Sequence, residues 1–356
     1  MPVSNLPFSQ NRRPFLLLTL GVLGLIGLGC NFVAVPGSYP NAPLTAQIIF
    51  ATVTPDPIRP SEAAPQSPIS APPAPFPGAN ELGKLLILEY HRLAEPEDRY
   101  QRTPENFRGD LQRLYDSGYF PVNFYDLIRG LPDVPAGKKP VVFTFDDSDI
   151  SQFRVLDDNT IDADSALGIL LEFHHEHPLD WPNKATFFVL GNDAGDYQTV
   201  FGQPRWAKSK IKFLVETGME VGSHTVNHVD LSVASAERIY WELAVSKRVI
   251  EEIVPGYTVQ TMSVPYGGFP YTLDFLKSGS WGTYEYSYSG NAAAWGGPTV
   301  SPFDETFDPY RVSRLEVTGE ALDHWLTHFE ENPQEYYLSD GDPSRVTAPQ
   351  EMVATE

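Results

Sequence analysis

Val141-Val142-Phe143-Thr144-Phe145-Asp146-Asp147 reads as a buried strand that ends abruptly in two carboxylates. Five uncharged residues, all β-branched or aromatic, suit a strand covered on both faces, which is the habit of parallel sheets. Parallel α/β folds place reactive groups where strands emerge at their C-terminal edge, so Asp146 and Asp147 are candidates for chemistry. The plainer alternative is an Asx-rich turn in which Asp147, Ser148 or Asp149 caps the following segment.

The same punctuation recurs on either side. Apolar runs at residues 85–90, 185–190, 219–223, 259–264, 283–287 and 311–317 read as further strands. Between them lie stretches of helical period at 167–175, 207–216 and 236–253, the last with Ile239, Leu243, Ile250 and Ile253 on one face. Thr103-Pro104-Glu105 opens another helix with a capping threonine and a proline at its first position; Phe107, Leu111 and Leu114 form its stripe and Gly118 stops it. Alternating strands and helices predict an α/β fold with a parallel sheet, and seven or so repeats predict an irregular barrel.

Two more strand ends carry candidate chemistry. His224-Thr225-Val226-Asn227-His228 follows the run at 219–223 and spaces two imidazoles by four, enough for one face of a helical turn. Two neutral imidazoles and one carboxylate make a three-ligand metal site with open positions. Ser263-Val264-Pro265-Tyr266-Gly267-Gly268 is the third, where a β-rich run gives way to a turn. The chain also holds a control: His324 and His328 repeat the spacing inside a candidate helix whose Leu322, Trp325, Leu326 and Phe329 form a packing stripe. Those two are expected to be structural or solvated. His174, His175 and His177 read as a helix end where imidazoles complement the dipole.

Thr144-Phe145-Asp146-Asp147, then His224-Thr225-x-x-His228, then Pro265-Tyr266-Gly267, in this order, resemble the polysaccharide deacetylases of the NodB-homology family, carbohydrate esterase family 4. Ala185-Thr186-Phe187-Phe188-Val189, Tyr90-His91 and residues 103–119 are also similar to that family, so the resemblance covers most of residues 85–317. It implies a distorted (β/α)7 barrel. It implies that Asp147, His224 and His228 ligate a divalent metal, expected to be zinc, and that Asp146 is the general base. The backbone N–H of Tyr266 would hold the oxyanion formed at the acetyl group of an N-acetylated sugar. Tyr90, His91, Pro265, Arg311 and Arg314 are expected in the substrate cleft.

The chain departs from the family's pattern in several places. Ser148 stands where the family usually has glycine, and Ser263 where many members carry an arginine that orients the catalytic aspartate. Arg311 or Arg314 is expected to supply that charge from another strand. The family's late Leu-x-His is matched only by Leu322-Asp323-His324, in a predicted helix, so the general acid stays unassigned. About 37 residues separate Asp147 from Ala185, and this insertion, acidic between Asp157 and Asp164, is expected to shape the cleft mouth.

Composition bounds the rest. The chain has 356 residues, 46 acidic against 25 basic, for a net charge of −21, which argues against gripping nucleic-acid phosphates. A single cysteine, Cys30, excludes an intrachain disulfide, a thiolate-rich zinc site and a Cys-x-x-Cys redox pair. Arg12-Arg13 followed by an uncharged, apolar run at 15–29 reads as an export segment over residues 1–30. Gly27-Leu28-Gly29-Cys30 resembles a bacterial lipobox with lipid attached at Cys30; an uncleaved helix reaching about Val35 is the alternative. Asn11-Arg12-Arg13-Pro14-Phe15-Leu16 also resembles a twin-arginine signal. All of these place the remainder outside the cytoplasm, and either anchor holds it to the outer face of the cell membrane. Residues 31–80 include 12 prolines and are expected to be a disordered linker. The domain is expected over 81–335 and an acidic tail over 336–356.

The leading expectation is a membrane-anchored, metal-dependent deacetylase acting on an N-acetylated cell-wall or extracellular polysaccharide. A carbohydrate-binding protein without turnover is the alternative, with Ser263 as its argument. An iron oxygenase site of two histidines and one carboxylate is disfavoured by the strand–helix alternation. A retaining glycosidase would need a paired acidic residue, such as a glutamate near Asp149, and none follows.

Overall fold

The computed structural model describes residues 76–191 and 200–349. Cys30, the apolar run before it and the linker up to residue 75 lie outside the described residues.

Seven strands build the frame: β1 (Leu86–Tyr90), β2 (Lys139–Phe145), β3 (Thr186–Val189), β4 (Glu220–Ser223), β5 (Thr261–Ser263), β6 (Gly290–Ala292) and β7 (Leu315–Glu316). They lie in the order β6-β5-β4-β3-β2-β1-β7, every neighbouring pair parallel. A parallel bridge between Ala292 and Val312, just ahead of β7, brings the two ends of this sheet together. The expected α/β barrel of distorted type is what forms. A short strand, Tyr119–Val122, runs beside the first half of β2.

Helices α1 (Pro104–Asp116), α2 (Ala166–Glu176), α3 (Ala207–Glu216), α4 (Ala236–Ile253) and α5 (Ala321–Glu331) connect or follow the strands. Thr103 accepts the Asn106 N–H at the start of α1, and Ser165 and Ser235 cap α2 and α4 in the same way.

The period of two along each strand sorts side chains into two layers. Leu86, Leu88, Val141, Phe143, Phe145, Phe187 and Val221 face outward and pack with the helices in the larger core. Ile87, Val142, Phe188, Ala292 and Val312 face inward and fill the barrel with Leu85 and Tyr337. Space inside is tight: a Cβ at Gly222 would lie 2.5 Å from the Phe188 ring.

Two expectations are corrected here. The run at 283–287 does form a strand, Tyr284–Ser287, but it pairs antiparallel with Ser278–Trp281 in a hairpin outside the barrel. Its side chains are mostly exposed, whereas Gly290–Ala292, which takes the sixth barrel position, is buried throughout. Residues 336–349 are also no free tail. Leu338 bridges Asn80, Tyr336 bridges Lys84, and the buried Glu81 accepts N–H groups from Asp340 and Thr347.

Candidate active site

The two adjacent aspartates at the end of β2 play different parts because the strand stops between them. Thr144 and Asp146 continue the inward face set by Val142. Asp147 (φ 74°) and Ser148 (φ 56°) then turn into left-handed backbone, which brings Asp147 to the rim. Ser148, where a glycine would be ordinary, is tied down on both sides: its Oγ accepts the Leu190 N–H at 2.9 Å and its carbonyl the Phe201 N–H at 2.7 Å. Thr225, His228 and Tyr266 share the left-handed region, so five of the eight non-glycine residues with positive φ among those described surround this site. Such strain persists where surrounding structure over-determines it.

His224 leaves β4 with its Nδ1 2.9 Å from the Ser263 carbonyl. That acceptor makes Nδ1 the protonated nitrogen and leaves the Nε2 lone pair facing Asp147, 3.3 Å from its Oδ1. His228 Nε2 reaches the same oxygen at 3.1 Å. The histidines do not meet on a helical turn, as the spacing suggested. Residues 224–228 form an irregular loop, held by Glu242 of α4, whose buried Oε2 accepts the N–H groups of Val226 (2.7 Å) and Asn227 (2.9 Å).

Asp146 is buried in a clamp. Arg314 donates to both of its oxygens, Nη1 to Oδ1 at 2.9 Å and Nη2 to Oδ2 at 2.8 Å. Ser263 Oγ donates to Oδ2 at 2.9 Å and accepts from Arg314 Nη2 at 2.9 Å. The same guanidinium reaches Thr144 Oγ1 and Glu89 Oε1, each at 3.0 Å. Burial opposes the charge on Asp146, but Arg314, and after it His224, outweighs burial and holds the carboxyl well below its usual range. Burial likewise opposes charge on Asp147, and the two imidazoles override it. Glu89 shares Arg314 without the same benefit: burial pushes it well above the usual range, with Arg314 pulling the other way.

Among the described residues, two groups of donor atoms converge, Asp147 with His224 and His228, and Glu89 with His91 and Asp146. Only the first suits a cation, because Arg314 sits on both carboxylates of the second. Asp147 Oδ1 is buried with no hydrogen-bond partner, two imidazole nitrogens face it, and a set of two nitrogens and one oxygen fits zinc or a similar divalent ion.

The other expected residues divide. His91 lines the cleft above this centre, its Nε2 3.8 Å from Glu89 Oε1. Tyr266 lines it too, with its ring edge-on to His228 at 4.4 Å. Pro265 is buried and opens the turn that carries Tyr266. Tyr90 is not in the cleft: it is buried in the outer core, and its hydroxyl donates to Asp110 at 3.0 Å. Arg311 is exposed, 4.0 Å from Asp308 and stacked over Phe269, so Arg314 alone supplies the charge at Asp146. No residue of the acidic insertion lines the cleft of about 280 Å³, whose walls come from residues 89–100 and 294–295 as well as the site itself; the insertion supports that wall from behind, Ser151 Oγ accepting the Leu93 N–H at 2.9 Å and Gln152 Nε2 donating to the His91 carbonyl at 2.6 Å. Arg154–Asp162 and Val155–Ile161 pairings fold the insertion onto itself. His324 and His328 lie on α5, flanking Trp325, with His328 paired to Glu335. His174 Nδ1 contacts the Trp181 carbonyl oxygen near the end of α2.

Sequence reasoning missed Glu89, Glu242, Arg92, Arg99, Tyr100 and Trp295. A signal existed for the first, a lone charge inside Leu86-Ile87-Leu88-Glu89-Tyr90. Nothing local marked the others.

Residues 133–279 match the polysaccharide deacetylase family model. Within the chain, 142 residues are 29% identical to a chitooligosaccharide deacetylase of Sinorhizobium fredii, covering 40% of this chain and 54% of that protein. A further similarity, 30% over 139 residues, is to a peptidoglycan-N-acetylglucosamine deacetylase of Listeria monocytogenes, covering 38% of this chain and 24% of that one. The chain thus spans about half or less of the length of these polysaccharide deacetylases. In fold it is similar to the Streptococcus pyogenes deacetylase PplD, solved with acetate, at a TM-score of 0.51 and 21% identity over 68% of this chain and 97% of that one.

Proposed function

We propose that this protein is a metal-dependent hydrolase that removes acetyl groups from N-acetylated sugars of a cell-wall or extracellular polysaccharide. The observation that carries the reading is the division of labour between the adjacent aspartates: Asp147 shares one oxygen with two histidines, while Asp146 is withheld from them by Arg314. A divalent ion on Asp147, His224 and His228 would supply a Lewis acid for the acetyl carbonyl and acidify water to near neutrality.

The chain's own groups supply the rest. Asp146, kept anionic by Arg314, accepts the proton of the attacking water. Tyr266, in its left-handed turn at the edge of the cleft, would offer its backbone N–H to the developing oxyanion. His91, which lines the same cleft, would hand a proton to the departing nitrogen, so that acetate and a free amine leave. Burial lowers the affinity of His91 for its proton, against the pull of Asp146 and Asp147. The reading as a binding protein without turnover rested on Ser263, and Arg314 now fills the role of the absent arginine.

The test is Asp146→Asn. It should keep zinc on the chain and lose about 10²- to 10⁴-fold in acetate release from acetylated glucosamine oligomers. Loss of zinc together with activity would show that Asp146 is a ligand and overturn the division.

A further inference from the structure

One wall of the cleft is a strap that follows His91. Its backbone is tied at both ends: Arg92 N–H donates to the Tyr100 carbonyl (3.1 Å), Ala94 N–H to the Arg102 carbonyl (3.0 Å) and Leu93 N–H to Ser151 Oγ (2.9 Å). Arg102 then locks the strap to α1 through two bonds to the fully buried Asp110, at 2.9 and 2.7 Å. Arg92, Arg99 and Tyr100 present their side chains to the cleft from this fixed frame.

The charges around the cleft pair off with one left over. Glu89 and Asp146 share Arg314, Asp147 faces His224 and His228, and Glu316 holds Arg99 at 2.8 Å while Arg99 also lies over the Tyr100 ring. Arg92 is exposed, and its guanidinium has no hydrogen-bond or ion-pair partner among the described residues. In a chain with 46 acidic side chains, the one lining guanidinium without a carboxylate stands beside the proposed proton donor. A guanidinium is a fork for a carboxylate or a phosphate, and a rigid backbone lowers the cost of aiming it.

Resting on the deacetylase reading, we propose that Arg92 recognises an anionic substituent, a carboxylate or phosphate carried by the glycan on the reacting sugar or the one next to it, with Tyr100 as the neighbouring platform for a sugar face. The substrate class is then an acidic N-acetylated glycan rather than a neutral one. A neutral homopolymer would leave Arg92 facing water alone.

The experiment compares three acetylated glucosamine oligomers of equal length: neutral, bearing a carboxylate ether on alternate sugars, or bearing a phosphodiester there. Binding by calorimetry and acetate release are both measured on the purified full chain, with Asp146→Asn protein used for binding without turnover. The wild type should bind at least one charged oligomer about tenfold more tightly than the neutral one, with the advantage shrinking as salt rises. Arg92→Ala should bring the charged-to-neutral ratio of Kd and KM to about one, and Arg92→Lys should restore part of it; the arm that responds identifies the anion. Equal binding of all three by the wild type, or a preference that survives Arg92→Ala, overturns the proposal. Absence of acetate release from every oligomer counts against the deacetylase reading instead, and the binding ratio still decides the role of Arg92.

Discussion

His224 and His228 share their spacing with His324 and His328, and the two pairs do nothing alike. The second pair stands on α5, where each ring meets Trp325 edge-on and Glu335 is the partner of His328. The first pair stands past the end of a barrel strand, on backbone bent through left-handed Thr225 and His228, and both rings turn to one carboxylate oxygen. Spacing alone therefore says little. What separates the pairs is the strand end, the adjacent carboxylate and a buried glutamate that holds the loop.

Removing one ring from each pair should give opposite outcomes. His224→Ala should abolish stoichiometric zinc binding and lower acetate release by more than about 10³-fold, measured by metal analysis and by acetate assay. Retained zinc and activity would place the ion elsewhere.

A second, smaller effect comes from the clamp. Arg314→Lys keeps a cation but loses the two-pronged grip, so activity should fall about 10- to 100-fold with zinc retained. The pH profile gives the sign. Asp146 is depressed by Arg314, so its charge and the stability that charge contributes are present above the ordinary carboxylate value near 4 and are lost as pH falls through the depressed one. Weakening the clamp moves that value up, and the low-pH edge of the rate profile should move up with it. An unmoved edge would mean Arg314 only fills space.

Third is the loop's anchor. Glu242→Gln keeps an acceptor but one of lower charge for Val226 and Asn227, and zinc affinity should fall about 10-fold by competition with a chromophoric chelator. The smallest effect is expected from His324→Ala and His328→Ala, which should leave zinc binding and acetate release within about twofold of wild type. A larger loss of zinc from either would erase the contrast between the pairs.

How much of the fold is legible in the sequence follows from the range of the interactions. Strand β2, helices α1, α3 and α4 and the three strand-end motifs were legible because alternation, caps and apolar period are local signals. Gly290–Ala292 was not, since three small residues carry no hydrophobic pattern, and the apolar look of Tyr284–Ser287 drew the strand to the wrong place. The arginine at Asp146 was narrowed to two candidates by chemistry, but choosing between Arg311 and Arg314 needed the inward face of the segment before β7. Glu242 was beyond reach: on a helix its carboxylate looks solvated, and only the packing of α4 under the histidine loop buries it.

On the proposed function, the Asp147, His224 and His228 cluster works through a divalent ion. The most direct measurement is acetate release from acetylated glucosamine oligomers by purified protein, first as prepared, then after chelation, then after zinc is restored. Release should disappear with the ion and return with it. Release that persists unchanged in fully chelated protein, with metal analysis showing none bound, would contradict the metal-dependent reading.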